Sequence, residues 1–205
     1  MTQFLFIRHT DHHFLHEGKI AGRLPGVHLS SLGQKQANEL ANCLSVLPID
    51  CIYSSPLERA CETAEPLAKR LEMKLEIAEE FNEVNIGDWT SKSLEELNTI
   101  PLWHRWNSFR SCTRAPNGET IVEVQKRILE KLLELQDRHR CIAVFSHGDV
   151  IRAALCHFLG LHLDFLLRLQ VDPGSVSVVE LHDRSAVVRV INASGNWRRL
   201  LGAAE

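Results

Sequence analysis

The stretch FLFIRHT, residues 4–10, decides how the rest of the sequence is interpreted. Four apolar residues run directly into Arg8 and His9, and so short a run between polar residues is typical of a fully buried strand. Arg8 keeps its charge and needs an anion or water, whereas His9 can act as a base, a nucleophile or a metal ligand. Because ligands of open α/β sheets bind just past the carboxyl ends of strands, this stretch favours a strand that delivers both residues to a site. A surface arginine beside a loop histidine is the alternative at this point.

Two later stretches repeat this arrangement of an apolar run followed by polar side chains. The run CIY at residues 51–53 leads through Ser55, a predicted helix cap, to Arg59 in the first turn of a helix. The run CIAVF at residues 141–145 leads to His147. In a parallel sheet with right-handed crossovers, the carboxyl ends of all three strands lie at the same edge. Two arginines and two histidines then converge beside helix N-termini, an arrangement suited to a phosphoryl group.

The pattern of the whole chain predicts an α/β fold in a single domain, residues 1–205. Short apolar runs alternate with amphipathic helical stretches, which favours a three-layer α/β/α sandwich around a mainly parallel central sheet. A capping-box spacing predicts a helix from Ser31 to about Val46, and two apolar runs within 175–191 predict a hairpin. The aromatic and basic segment 93–118 is predicted either as a lid insertion or as a packed helical excursion that only covers core.

Charge and composition narrow the function classes. The net charge is -3, with 44% hydrophobic and 24% charged residues, so we expect no nucleic-acid partner. No stretch approaches the roughly 18 apolar residues that span a bilayer, and the N-terminus shows no secretory signal. The six cysteines form no CxxC pair. We therefore expect a cytoplasmic protein without a membrane partner.

The ordered set of motifs resembles the histidine phosphatase superfamily, which includes the cofactor-dependent phosphoglycerate mutases and related phosphatases. RHT at residues 8–10 stands where the family has its Arg-His-Gly signature. Three further stretches resemble its second-arginine segment, its acid-bearing loop and its second-histidine segment: SSPLERACETA (54–64), EVNIGDW (83–89) and SHGDVIR (146–152). The match covers about residues 4–157 in the right order, and it implies a phosphoglycerate mutase-like fold.

The resemblance implies a role for each residue at the predicted edge. His9 attacks phosphorus and becomes a phosphohistidine. Arg8, Arg59 and His147 hold the phosphoryl oxygens. Glu83 donates a proton to the leaving oxygen, and a pocket that raises its pKa is expected. His9, Glu83 and His147 are thus the predicted catalytic residues, with a small phosphorylated metabolite as substrate and inorganic phosphate as product. Because the phosphoryl group already has cationic partners, no metal and no other cofactor is implied.

Departures from the family pattern concern substrate recognition. Thr10 replaces the usual glycine, and no asparagine aligns with the one that often touches the phosphate in this loop. His13 or His16 is predicted to occupy that space. Arg23, His16 and Arg110 are the predicted substrate-binding residues, and a surface position is the alternative for the two arginines.

Three alternatives stay open from the sequence. The first is a mutase of the same family, although a phosphatase is favoured because the chain is compact and lacks the longer insertions associated with mutases. The second is a metal site, since the spacing of His9, His12, His13 and His16 suits a transition metal. The third is a phosphate-binding protein without turnover, against which His9 and Glu83 argue. A homodimer through the terminal hairpin is compatible with the residues but not required by them.

Overall fold

The computed structural model of the protein describes residues 1–194 and builds them around one mixed six-stranded sheet. The strands are β1 (Thr2–Arg8), β2 (Cys51–Ser54), β3 (Leu75–Ile77), β4 (Cys141–Ser146), β5 (Val176–Leu181) and β6 (Ala186–Ala193). Their order across the sheet is β3-β2-β4-β1-β5-β6. The first four of these are parallel, and β5 is antiparallel to both β1 and β6. The mainly parallel sheet and the terminal hairpin are confirmed, whereas residues 195–205 of the predicted domain lie outside the described part of the chain.

Helices cover both faces of this sheet. They are α1 (Ser31–Leu44), α2 (Glu58–Leu71), α3 (Leu94–Leu97), α4 (Pro101–Ser108), α5 (Ile121–Leu135) and α6 (Gly148–Leu159). The first two pack on one face and the last two on the other, which confirms the three-layer α/β/α sandwich. None of the helices within residues 1–194 has the length and apolar character needed to cross a membrane.

The central strand β1 is apolar on both sides because each side faces a separate core. Phe4 and Phe6 pack with the residues of α5 and α6, whereas Leu5 and Ile7 pack with those of α1 and α2. All four side chains are almost completely buried. A strand that is covered on both faces needs a continuous apolar run rather than an alternating one. The sheet therefore fixes the position of the polar residues that follow at the strand's carboxyl end.

The capping residues predicted for two helices are wrong. Ser30 rather than Ser31 caps α1, because the Ser30 hydroxyl accepts the N–H of Gly33, and the helix ends at Leu44, two residues before the predicted end. Helix α2 begins at Glu58 with no side-chain cap. Ser55, the predicted cap, lies too far before the helix and makes another contact, described below.

The segment 93–118 packs against the same core as α5 and α6. Its Trp103 and Trp106 rings lie edge-on to the ring of Trp89, at centroid distances of 5.2 and 5.5 Å. Both side chains are largely buried. The segment is thus a packed helical excursion that covers core, and its use as a lid stays a prediction.

Candidate active site

Three parallel strands end side by side at one edge of the sheet. Arg8, the last residue of β1, pairs with Ser146, the last residue of β4. On the other side of β4, Ser54 at the end of β2 pairs with Phe145. The next polar residues of the three strands therefore meet at one point, as the sequence predicted.

His9 lies just past β1 with its ring buried. Its Nδ1 lies 2.9 Å from the carbonyl oxygen of Thr10, and because a carbonyl only accepts, Nδ1 carries the hydrogen. Nε2 therefore holds the free lone pair, and it makes no hydrogen bond to residues 1–194. Burial, followed by the positive charges of Arg59 and Arg8, lowers the pKa of His9 well below its usual value. The ring is thus a neutral imidazole oriented as a nucleophile.

His147 lies beside His9 at the start of α6. The two ring centroids are 5.2 Å apart, and the Nε2 atom of His147 lies 2.7 Å from the Ser55 hydroxyl oxygen. Burial, then Arg59 and His9, lowers the pKa of His147, so this ring is neutral as well. If the Ser55 hydroxyl donates to Nε2, the remaining hydrogen sits on Nδ1. That Nδ1 atom is buried without a hydrogen-bond partner among the described residues, 3.8 Å from the Glu83 carboxylate.

Arg8 and Arg59 bring two guanidinium groups to the same edge. Arg59 is only 1% exposed and donates from Nη2 to the Gly22 carbonyl oxygen at 2.7 Å, while Arg8 donates from Nη1 to the Val171 carbonyl oxygen at 2.6 Å. Nε of both residues and Nη1 of Arg59 are buried without partners, and within residues 1–194 neither guanidinium is paired with a carboxylate. Unpaired buried N–H donors are costly, so this set favours an anion that accepts from all of them.

Glu83 follows a 3-10 turn, Glu79–Phe81, that is tied to the strand edge. The Ser146 hydroxyl donates to the Phe81 carbonyl oxygen at 2.7 Å, which holds the turn beside the end of β4. One Glu83 oxygen accepts the N–H of Val84 at 2.8 Å, and the other faces His147. Burial, followed by the nearby Asp149 carboxylate, raises the pKa of Glu83, although Arg59 and Arg8 oppose the shift. A raised pKa is what a carboxyl group needs in order to donate a proton.

A second group of charges lies behind the backbone of Glu83. The Glu83 carbonyl oxygen accepts from Arg23 Nε at 2.7 Å and from Arg127 Nη2 at 3.2 Å. Both guanidinium groups also bond to the carboxylate of Glu119, at 2.9 and 3.2 Å. Glu119 accepts the N–H of Asn85 as well, at 2.8 Å. The network fixes the path of the acid-bearing loop, so Arg23 holds the loop in place here.

The other predicted substrate residues also have protein partners. Arg110 is 4% exposed, is ion-paired with Asp149 and donates from Nη2 to Asn107 at 2.8 Å. It lies in the wall of a pocket next to Glu83. His16 is mostly exposed, and its Nε2 lies 2.6 Å from the Asp11 carboxylate. The prediction that His13 or His16 fills the space beside the nucleophile is not supported, because His13 is solvent-exposed and His16 is held by Asp11.

His12 is the residue of this loop that lies next to the nucleophile. Its ring centroid is 4.9 Å from that of His9, the side chain is 3% exposed, and its Nδ1 is buried without a partner among the described residues. Burial, Arg59 and Arg8 lower the pKa of His12 to about 4. In the sequence analysis His12 was a candidate only as a metal ligand, because no sequence feature distinguishes it from its neighbour His13. Ser55 was missed for a different reason, since its position before a helix suggested a cap.

The structure accommodates Thr10 at the position where the family usually has glycine. The Thr10 hydroxyl donates to the Gly33 carbonyl oxygen at 2.9 Å, and its backbone N–H donates to the Thr63 hydroxyl at 3.1 Å. Thr63 is itself bonded to the carbonyl of Arg59 at 2.6 Å. The side chain that replaces the usual glycine thus links the loop after β1 to α2 and leaves His9 in position.

The four clustered histidines of the sequence are not gathered into one ligand set. His9 and His12 are neighbours, whereas His13 is exposed and His16 is held by Asp11. Across residues 1–194, no group of three or more His, Cys, Asp or Glu side chains is placed to hold a metal ion. The arrangement favours the phosphoryl pocket over the metal-site alternative.

Comparisons with a family model, with curated proteins and with solved structures all match this chain to phosphatases of one superfamily. The family model described as "Histidine phosphatase superfamily (branch 1)" matches residues 4–194. Phosphoserine phosphatase 1 of Hydrogenobacter thermophilus is 30% identical over 94% of this chain and 92% of its own length. The adenosylcobalamin/alpha-ribazole phosphatase of Escherichia coli is 26% identical over 91% of this chain and 94% of its own. Among solved structures, a phosphoserine phosphatase from Entamoeba histolytica in complex with 3-phosphoglyceric acid superimposes with a TM-score of 0.86, at 26% identity, over 96% of this chain and 99% of that one.

Proposed function

The chain belongs to the histidine phosphatase superfamily, and on that basis we propose that it hydrolyses small phosphate monoesters through a phosphohistidine formed on His9. The observation that carries the proposal is the pairing of a free, neutral His9 Nε2 with a set of unpartnered N–H donors around it. A nucleophile and a ready-made anion pocket at one point are what phosphoryl transfer requires.

In the first step, the lone pair of His9 Nε2 forms the bond to phosphorus while the bond from phosphorus to the ester oxygen breaks. The developing charge on the phosphoryl oxygens is met by the free N–H groups of Arg8, Arg59 and His147. Protonated Glu83 gives its proton to the leaving oxygen, which departs as an alcohol. The carbonyl of Thr10 supports the positive charge that the imidazole acquires.

In the second step, water attacks phosphorus from the side that the alcohol has left. Glu83, now ionised, takes a proton from that water, and the bond between phosphorus and Nε2 breaks. Inorganic phosphate leaves, while His9 and the protonated carboxyl are restored. The nearness of Asp149 to Glu83 supports this cycle, because a second negative charge favours the protonated form of the acid before each turnover.

Hydrolysis is favoured over mutase chemistry by the surroundings of Glu83. A mutase must hold a second anionic substrate and shield the phosphohistidine from water. The pocket next to Glu83 is lined mainly by apolar side chains, and its one arginine is already paired with Asp149. The relatives described above carry phosphatase names, which supports the same choice. A cytoplasmic location, a homodimer and independence of metal ions stay predictions.

The proposal is tested with a panel of phosphate monoesters in the presence of a chelator. We expect release of inorganic phosphate, no net isomerisation of 3-phosphoglycerate, and a base-stable, acid-labile label when a monoester with radiolabelled phosphorus is quenched during turnover. His9→Ala should abolish both label and release, whereas the exposed histidine variant His157→Ala should retain both.

Three results would contradict parts of this account. Predominant isomerisation would mean a mutase. Loss of activity with the chelator, restored by a divalent cation, would mean a metal-dependent reaction. Phosphate binding without label or turnover would leave a binding protein.

A further inference from the structure

The size and lining of the pocket next to Glu83 indicate which alcohols can form the leaving group of the substrate. Its volume is about 250 Å³. Seven of its residues are apolar or aromatic, and we call the cavity they line the side pocket: Ile20, Val84, Ile86, Leu94, Trp103, Trp106 and Leu167. An apolar cavity of roughly 150 Å³ already accommodates a benzene ring, so this one has room for a ring with a short chain.

The side pocket adjoins the phosphoryl site, because two of its residues also lie against that site. Glu83 lines it, and the same side chain lies 3.8 Å from the unpartnered Nδ1 of His147. Gly22 also lines it, and its carbonyl oxygen accepts the N–H of Arg59 at 2.7 Å. A phosphoryl group held by Arg59 and His147 therefore has its leaving oxygen near Glu83. The rest of the alcohol then extends into the side pocket.

The charges of the side pocket offer little to a second anion. Its charged residues are Glu83, Asp149 and Arg110. The Nη atoms of Arg110 are used by Asp149 and Asn107, its Nε is buried without a partner among the described residues, and its guanidinium lies 3.7 Å from the ring centroid of Trp106. Asp149 is shared with Arg152 at 2.8 Å. An added carboxylate would face the ionised carboxylate of Asp149, the carboxyl group of Glu83 and one arginine that is already paired with Asp149, which disfavours it.

Resting on the proposed function, we infer that this phosphatase prefers monoesters of uncharged alcohols with an apolar or aromatic body over esters of hydroxy acids such as phosphoserine or phosphoglycerate. Burial of an apolar body in the side pocket adds binding that an acidic alcohol cannot obtain. The acidic alcohol also loses water from its carboxylate without gaining a free cation.

The decisive measurement compares kcat/KM for three esters whose leaving alcohols are all simple primary alcohols: 2-phenylethyl, propyl and 2-carboxyethyl phosphate, with phosphoserine as a fourth. This choice avoids aryl esters, which react faster for a reason unrelated to the pocket. We expect the phenylethyl ester to exceed the carboxyethyl ester by about tenfold or more, with the propyl ester between them. Equal values, or a preference for carboxyethyl phosphate or phosphoserine, would overturn the inference.

One substitution at the edge of the side pocket tests whether the lack of a free cation disfavours acidic alcohols. Leu167 lines the side pocket and is 51% exposed, so Leu167→Lys adds a cation at little cost in folding. We expect it to raise kcat/KM for the carboxyethyl ester several-fold and to lower it for the phenylethyl ester. Leu133→Lys is the matched control, since Leu133 is 64% exposed on α5, away from the pocket, and should change neither value. No change of the ratio with Leu167→Lys would count against the inference.

Failure of the proposed function is distinguishable from failure of this inference. If no ester is hydrolysed, the phosphatase proposal fails. The same four esters are then tested for binding to the His9→Ala variant by calorimetry. Their relative affinities show whether the side pocket is an apolar subsite, independently of turnover. Tighter binding of the phenylethyl ester than of the carboxyethyl ester supports the side pocket as an apolar subsite, and the reverse order overturns it.

Discussion

The phosphoryl pocket and the side pocket each contain a buried arginine, but the two arginines are used in opposite ways. Arg59 has no carboxylate partner among residues 1–194, and two of its nitrogen atoms are buried without hydrogen bonds. Arg110 is also buried and its Nε also lacks a hydrogen bond to those residues, yet it is ion-paired with Asp149, bonded to Asn107 and stacked on Trp106. A buried cation with its counter-ion in place is part of the framework. A buried cation without one is available to an anionic ligand, so burial alone does not identify a binding residue.

The largest expected effect is on the unpaired arginine. Arg59→Met should lower kcat/KM by about 10³-fold, because it removes two donors to the developing charge on the phosphoryl oxygens. Thermal unfolding should change little, since methionine fills much of the volume and the repulsion between Arg59 and Arg8 disappears. Steady-state kinetics and calorimetry on one preparation measure both quantities. If Arg59→Met instead lowered the unfolding temperature strongly and kept its activity, Arg59 would be a structural residue like Arg110.

The next largest effect concerns the acid between the two pockets. Glu83→Gln should lower kcat for alkyl phosphates by about 10²-fold, because the alkoxide must then leave without a proton. In the unsubstituted enzyme, activity should fall as the pH rises through the raised pKa of Glu83, since the protonated form is the donor. That limb of the pH profile should vanish in the variant. 4-Nitrophenyl phosphate is the control substrate, because its leaving group needs no proton, and a loss as large as that for alkyl esters would argue against the assigned role.

The paired arginine should show the opposite behaviour to Arg59. Arg110→Met should lower the free energy of unfolding by about 2 kcal/mol, because Asp149 keeps only Arg152 as a partner, while kcat changes by less than about tenfold. Burial alone would raise the pKa of Asp149, but Arg110 and Arg152 outweigh it and lower the pKa to about 2. This stabilisation is therefore complete above the ordinary value of 3.8 and is lost as the pH falls from there towards 2. Denaturant titrations at several pH values should show the loss in the unsubstituted protein and a smaller one in the variant.

The smallest effect should come from the network behind Glu83. Glu119→Gln weakens the hold on Arg23 and Arg127, which both donate to the carbonyl of Glu83, so the acid is less well positioned. We expect kcat to fall about tenfold with KM nearly unchanged, because the network touches neither pocket's ligand. The exposed variant Glu130→Gln, on the same helix as Arg127, is the control. A change in KM alone would mean that Arg23 binds substrate directly, as the sequence first suggested.

How far the sequence predicts the site depends on how each residue is placed. Arg8 ends β1, and His9 and His147 directly follow β1 and β4, so the ends of two neighbouring parallel strands determine their meeting point. Arg59 is placed by the first turn of a helix that follows a third strand. These positions depend on backbone geometry, which hydrophobic runs and turn signals reveal.

Ser55, His12 and Asp149 could not be assigned in the same way. Ser55 has the pattern of a helix cap but lies against His147, a partner 92 residues away along the chain. His12 lies against His9 because of the turn that the loop takes, a turn the sequence does not specify. The direction of each pKa shift depends on burial by distant elements, which the local sequence does not reveal. The raised pKa of Glu83 was expected only from the role that the family resemblance implies.

The sequence by itself determined the sheet, the order of its motifs and the four residues that meet at its edge, because the period of apolar residues specifies strands and parallel strands share one carboxyl edge. Only the tertiary structure decided which of those charges stay unpaired, which histidine lies beside His9, and what lines the side pocket. The reason is that counter-ions and pocket walls come from segments far apart in the chain, and their meeting depends on how helices and loops pack over the sheet.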